Sequence, residues 1–198
     1  MIRSAAFGPL LALLAAALLY PLGAAAGSDE AVVLVAKRHL QDRLYGATIL
    51  LAKPLGEERH VGFILNKPTE LTLSKLFPDH APSKKVRDPV YLGGPFGREV
   101  IFALVRRAER PGARSLRIAP NLFLAFDTTT VDRIIESEAE RARFFSGMVM
   151  WKPGELADEL KRGLWHQPEV RIERLLGRST DGLWEELVGR SERKANTI

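Results

Sequence analysis

What limits the fold first is the way apolar residues arrive in short, β-branched runs, several of them closed by proline, glycine or asparagine. Ala31 to Ala36 and Gly46 to Ala52 are continuous apolar stretches. The second stops at Pro54 and is followed by the charged turn Gly56-Glu57-Glu58-Arg59. Val61 to Leu65 comes next and is closed by Asn66-Lys67-Pro68, so the pair reads as an antiparallel hairpin. Pro89 to Leu92, Val100 to Val105, Ser115 to Ala119, Leu122 to Phe126 and Phe144 to Trp151 supply further strands. No regular strand–helix–strand rhythm links them, which favours an α+β fold with a largely antiparallel sheet over a doubly wound one.

The helices are few. Leu73, Leu76 and Phe77 predict a short one over 71–77, ended by Pro78. Thr129-x-x-Asp132 has the spacing of a capping box. Val131, Ile134, Ile135, Ala139 and Ala142 then lie on one helical face, with Arg141 and Arg143 as cations suited to the helix C-terminus. Pro153 suits a first helical position, Leu156, Leu160 and Leu164 stripe the helix, and Gly163 marks its end. Val170 to Ile172 reads as an edge strand, and Leu183 to Val188 as a last short helix. The segment 79–88 is a polar, proline-containing loop, expected to be the most mobile part of the chain.

The N-terminus carries a different signal. Arg3 is followed by an uncharged stretch from Ser4 to Ser28, with a leucine- and alanine-rich centre at 10–19, a breaker at Tyr20-Pro21, and the small residues Ala24-Ala25-Ala26. This is the order of an export leader. The expected division is a signal peptide at 1–26, one domain at 27–190 and a frayed tail at 191–198, placing the mature chain in the periplasm or outside the cell. The apolar part is short of the ~20 residues of a spanning helix, so membrane contact is expected only through the leader if it stays uncut. Losing Arg3 takes the formal charge from +5 to +4, and the arginines at 106, 107, 110, 114 and 117 lack interleaved aromatics, so no nucleic acid partner is expected. A small molecule or a protein is the partner class left open.

Chemistry is thinly signalled. The chain has no cysteine, its four histidines lack metal-ligand spacing, and no Gly-x-Ser-x-Gly elbow occurs. No cofactor and no metal are expected. Gly93-Gly94-Pro95 either offers the glycine N–H groups to an anion or forms a tight turn. Asn66 either places an amide in a cleft or bonds its own backbone. Trp151 ahead of Gly154 is either an aromatic wall beside a helix N-terminus or a core side chain. Glu155 and Glu159 share a helical face. Their acid/base reading stands against that of a solvated charged face.

Val61 to Pro68, Pro89 to Pro95, and Trp151-Lys152-Pro153-Gly154-Glu155-Leu156 with Glu159-Leu160 resemble, in order and spacing, the bacterial YqgE/AlgH family. Leu34-Val35-Ala36 with Asp42 fits the family's start, and Leu183-Trp184 its end. The resemblance implies a bifurcated, barrel-like, largely antiparallel sheet surrounded by a few helices. It brings no settled activity, and some members carry a transcriptional-regulator label. It implies a cleft lined by Asp42, Asn66, Gly93, Gly94, Trp151, Gly154 and Glu159. The chain departs from the family pattern at Arg43, Ala47, Lys53-Pro54, Met150 and Glu155, losing an arginine and a histidine the family usually carries. The reading is a non-catalytic ligand-binding or accessory protein of the cell envelope. The rivals are a hydrolase using Asp42 or Glu159, and a transcription-related regulator if the leader is not an export signal.

Overall fold

The computed structural model describes residues 30–177 and 179–195; the leader expected at 1–26 lies outside them. Ten strands form one sheet: β1 (Val32–Ala36), β2 (Ile49–Gly56), β3 (Arg59–Ile64), β4 (Pro68–Thr72), β5 (Pro89–Leu92), β6 (Phe96–Arg106), β7 (Ser115–Ala119), β8 (Leu122–Ala125), β9 (Ala142–Trp151) and β10 (Trp165–His166). The helices are α1 (Leu73–Leu76), α2 (Thr128–Ser137), α3 (Glu155–Lys161), α4 (Ile172–Leu175) and α5 (Leu183–Ala195). The main path runs β10-β1-β2-β3-β9-β6-β8-β7, with β4 and β5 as a branch. All pairings are antiparallel except β5 with β9. The sheet is open, and the α+β class and the bifurcation are as the sequence reading expected.

Why the strands are continuously apolar is answered by the layering. Val33, Val35, Leu51 and Phe63 face one core, and Leu34, Ala36, Leu50 and Ile64 face another with Leu156 of α3 and Trp165. Phe102, Leu104 and Phe145 join the first core, while Ala103, Val105 and Phe144 meet Val131, Ile134 and Ile135 of α2 in a third. Alternate residues thus go to opposite faces, and both faces are covered, so no polar alternation survives in the sequence. Phe63 anchors the central core, its ring 5.4 Å from those of Phe102 and Phe145.

The bifurcation occurs along β9. One edge of β9 pairs with β6, and the other with β5 at Phe145 and Ser146 and with β3 from Val149 to Trp151. The chain leaving β5 passes from one edge of β9 to the other in the three residues Gly93-Gly94-Pro95, since Phe96 already pairs with Met148. Backbone therefore crosses backbone. A Cβ on Gly93 would overlap the Gly147 carbonyl, and one on Gly94 the backbone of Met148. Gly147 sits at φ +74°, a conformation that side chains other than glycine adopt at a cost.

Several elements differ from the sequence reading. Asp127, not Thr129, caps α2: its carboxylate accepts the Thr130 N–H at 3.1 Å. The helix stops at Ser137, and Arg143, read as a cation at its end, is a buried residue of β9. Residues 68–72 form a strand against β5 where a helix was expected to begin, because the Thr69 hydroxyl donates to the Val90 carbonyl at 2.6 Å and Pro68 needs no donor at an edge. Pro153 precedes α3, whose N-cap is Gly154 at φ +78°. The short edge strand is Trp165–His166; residues 172–175 are helical instead. Residues 81–85 of the polar loop form a 3₁₀ turn with Ser83 buried. The last helix runs on to Ala195, through most of the expected tail, and 196–198 lie outside the described residues.

Candidate functional site

The loop from Lys37 to Thr48 is shaped by one carboxylate. Asp42 Oδ1 accepts the N–H groups of Leu44 and Tyr45, both at 2.7 Å, and the Asp42 carbonyl accepts the Gly46 N–H at 2.8 Å. An aspartate closing a turn on its own following amides needs only short reach, which is why Asp serves here. Lys67 closes the loop from the other side, its ammonium donating to the Leu44 carbonyl at 2.6 Å. Burial lowers the Lys67 pKa, and the nearby Asp42 charge opposes that.

Asn66 works on the same loop. Its amide nitrogen donates to the Ala47 carbonyl at 2.9 Å and its amide oxygen accepts the Ile49 N–H at 2.8 Å. The side chain thus imitates a strand backbone and continues the β2–β3 ladder past Leu65, whose own N–H reaches Ile49 at 2.8 Å. Ala47 takes φ +54°.

The second half of the site is built on α3. The Trp151 and Trp165 indole N–H groups both donate to Glu159 Oε2, at 3.0 and 2.8 Å. Both tryptophans are buried, and a buried indole N–H needs an acceptor. A single carboxylate oxygen serves both and so ties β9, α3 and β10 together. Glu155 is engaged elsewhere, where its carboxylate accepts the Lys152 N–H at 2.9 Å and closes the first turn of α3. The two helix carboxylates therefore do not act as a pair.

Tyr45 joins the two halves. Its ring lies edge-on to Trp165, centroids 6.5 Å apart. Burial raises its pKa, and the charges of Glu159, Asp42 and Glu155 raise it further. Asp42 and Glu159, singled out from the sequence, thus converge on one phenol. Trp151 lies in the same cluster, Gly154 caps α3, and Gly93 and Gly94 sit instead at the β9 crossing. The N–H of Gly93 donates to Ser146 and its carbonyl accepts from Ile64, both at 2.9 Å. Tyr45, Lys67 and Trp165 were missed by the sequence reading. Only the adjacency of Lys67 to Asn66 hinted at any of them. Among the described residues no group of three His, Asp or Glu side chains is placed to hold a metal ion.

An open antiparallel sheet that branches along one strand, with a glycine crossing and a carboxylate held by two indoles, defines a distinct class of α+β protein. The AlgH-like family model matches residues 33–196, and the chain belongs to that family. A UPF0301 protein of Parabacteroides distasonis is 27% identical over 159 residues, 79% of each chain. One from Bacteroides fragilis is 28% identical over 169 residues, covering 83% of this chain and 84% of that protein. The solution structure of the AlgH protein from Pseudomonas aeruginosa superposes with a TM-score of 0.65 at 20% identity, over 84% of this chain and 90% of that one. At that identity the likeness is one of fold. The family's biochemical function is uncharacterised.

Proposed function

We propose that this chain is an exported, non-catalytic ligand-binding or accessory protein of the cell envelope. The observation that carries the non-catalytic part is the employment of the two carboxylates nearest to acid/base chemistry. Glu159 Oε2 is filled by two indole donors, and Asp42 Oδ1 by two amides. A general acid or base must reach a proton on the substrate; one oxygen of each of these carboxylates is committed to its own scaffold. The leader at 1–26 supports export. Cell fractionation with N-terminal sequencing tests the compartment: a mature chain beginning at Gly27 outside the cytoplasm is expected. A full-length cytoplasmic product would overturn export and favour a regulatory role.

A further inference from the structure

Away from that cluster, at the start of β9, lies a cavity of about 210 Å³. Arg143 lines it and is only 8% exposed. Its Nη1 donates to the carbonyls of Leu65 at 3.0 Å and Leu175 at 3.4 Å, and its Nη2 to the carbonyl of Gly177. The guanidinium stacks on Tyr91, 4.3 Å from the ring centroid. Among the described residues no carboxylate oxygen comes within the 4.0 Å of an ion pair with it. A guanidinium has five N–H donors; three are used, leaving Nε–H and one on Nη2, on adjacent nitrogens. Two such parallel donors match the two oxygens of a carboxylate.

The charges lining the cavity balance, with Asp88, Glu140 and Glu173 against Arg106, Arg141 and Arg143. Glu140 is 3.7 Å from Arg141, and Glu173 is 3.7 Å from Arg171, so both acids have cations beside them. Asp88 then stands against Arg106 and the buried Arg143. Pro89, Leu104, Phe144 and Leu176 supply apolar wall. A cavity of this size takes several waters or an organic acid of roughly six heavy atoms.

We propose that this cavity seats a small organic carboxylate, its two oxygens on the unused edge of Arg143 and its short aliphatic body against Pro89, Leu104 and Leu176. A buried cation met only by carbonyl dipoles and an aromatic face gains from an anion on its unused donors. The proposal deepens the ligand-binding reading and rests on it, whereas export is tested apart. An exported chain that ignores carboxylates sinks the seat alone, and a cytoplasmic chain that binds them sinks export alone.

Calorimetric titration of the purified protein with sodium butyrate, and with inorganic phosphate or chloride at matched ionic strength, tests it. Saturable binding of butyrate with a Kd of about 1 mM or tighter is expected, with phosphate and chloride at least tenfold weaker. Arg143→Lys keeps the charge but loses the fork and weakens binding about tenfold or more. Asp88 is exposed, so Asp88→Asn leaves the fold intact and tightens binding about threefold by removing the competing anion. No saturable butyrate binding, equal affinity for phosphate, or a Kd that Asp88→Asn leaves unchanged would each overturn the assignment.

Discussion

Gly93 lies directly against the carbonyl of Gly147, close enough that a methyl group on either residue has no place to go. This contact lets the chain change edges of β9 within three residues and so makes the bifurcation possible. Gly147 carries a second demand, its φ of +74°. Gly147→Ala is expected to cost about 1–3 kcal/mol for the left-handed backbone and a further ~1–3 kcal/mol for the overlap. Gly97 provides the control, with φ +65° and open space around it; its alanine variant bears only the conformational cost. Urea denaturation of both separates the two effects, and equal losses would show that the crossing is not tight.

Glu159 holds two buried indoles with one oxygen. Glu159→Gln keeps an acceptor but removes its charge, weakening two charge-assisted hydrogen bonds by about 1–2 kcal/mol together. Tryptophan fluorescence and near-ultraviolet circular dichroism should both change, since Trp151 and Trp165 lose their common partner. A variant with unaltered spectra and stability would mean the carboxylate braces nothing.

Capping of α2 is assigned to Asp127, whose Oδ2 is buried without a hydrogen-bond partner among the described residues. Asp127→Ala should lose about 1 kcal/mol. Thr129→Ala and Asp132→Ala, at the positions the sequence spacing favours, should each stay within ~0.5 kcal/mol. Thermal melts of the three variants rank the positions directly, and a reversed order would return the cap to Thr129.

Tyr45 predicts an alkaline limit to stability. Its pKa is raised in the folded chain from 10.0, so the folded state holds the phenol proton when the unfolded state has released it. The stabilisation is therefore complete below about pH 10 and declines as pH rises through the folded value. Tyr45→Phe removes the titrating group, and its urea midpoint should fall less between pH 8 and pH 11 than that of the parent. Parallel declines would remove Tyr45 as the cause.

Most strands, β4 and β10 apart, were legible because their runs are largely apolar and bounded by turn-forming or charged residues, which is local information. Beyond the antiparallel hairpin of β2 and β3, their partners were not. Whether Val170 to Ile172 or Trp165-His166 forms the edge against β1 depends on where α3 delivers the chain. Arg143 was misplaced for the same reason: beside a helical pattern it looks like a cation at a helix end, and only β9's position between β5 and β6 buries it.

The candidate site divides along that line. The sequence by itself determined that Asp42, Asn66, Trp151 and Glu159 are unusual polar or aromatic residues at or near the ends of strands and on one helix, and that Gly93-Gly94 marks a special backbone. Only the tertiary structure decided what those groups touch. The partners of Glu159 lie on β9 and β10, those of Asn66 on the loop before β2 and at the start of β2, and the obstacle over Gly93 on β9. Hydrogen bonds and steric contacts act over a few ångströms, and residues far apart in the chain come that close only when the sheet has assembled.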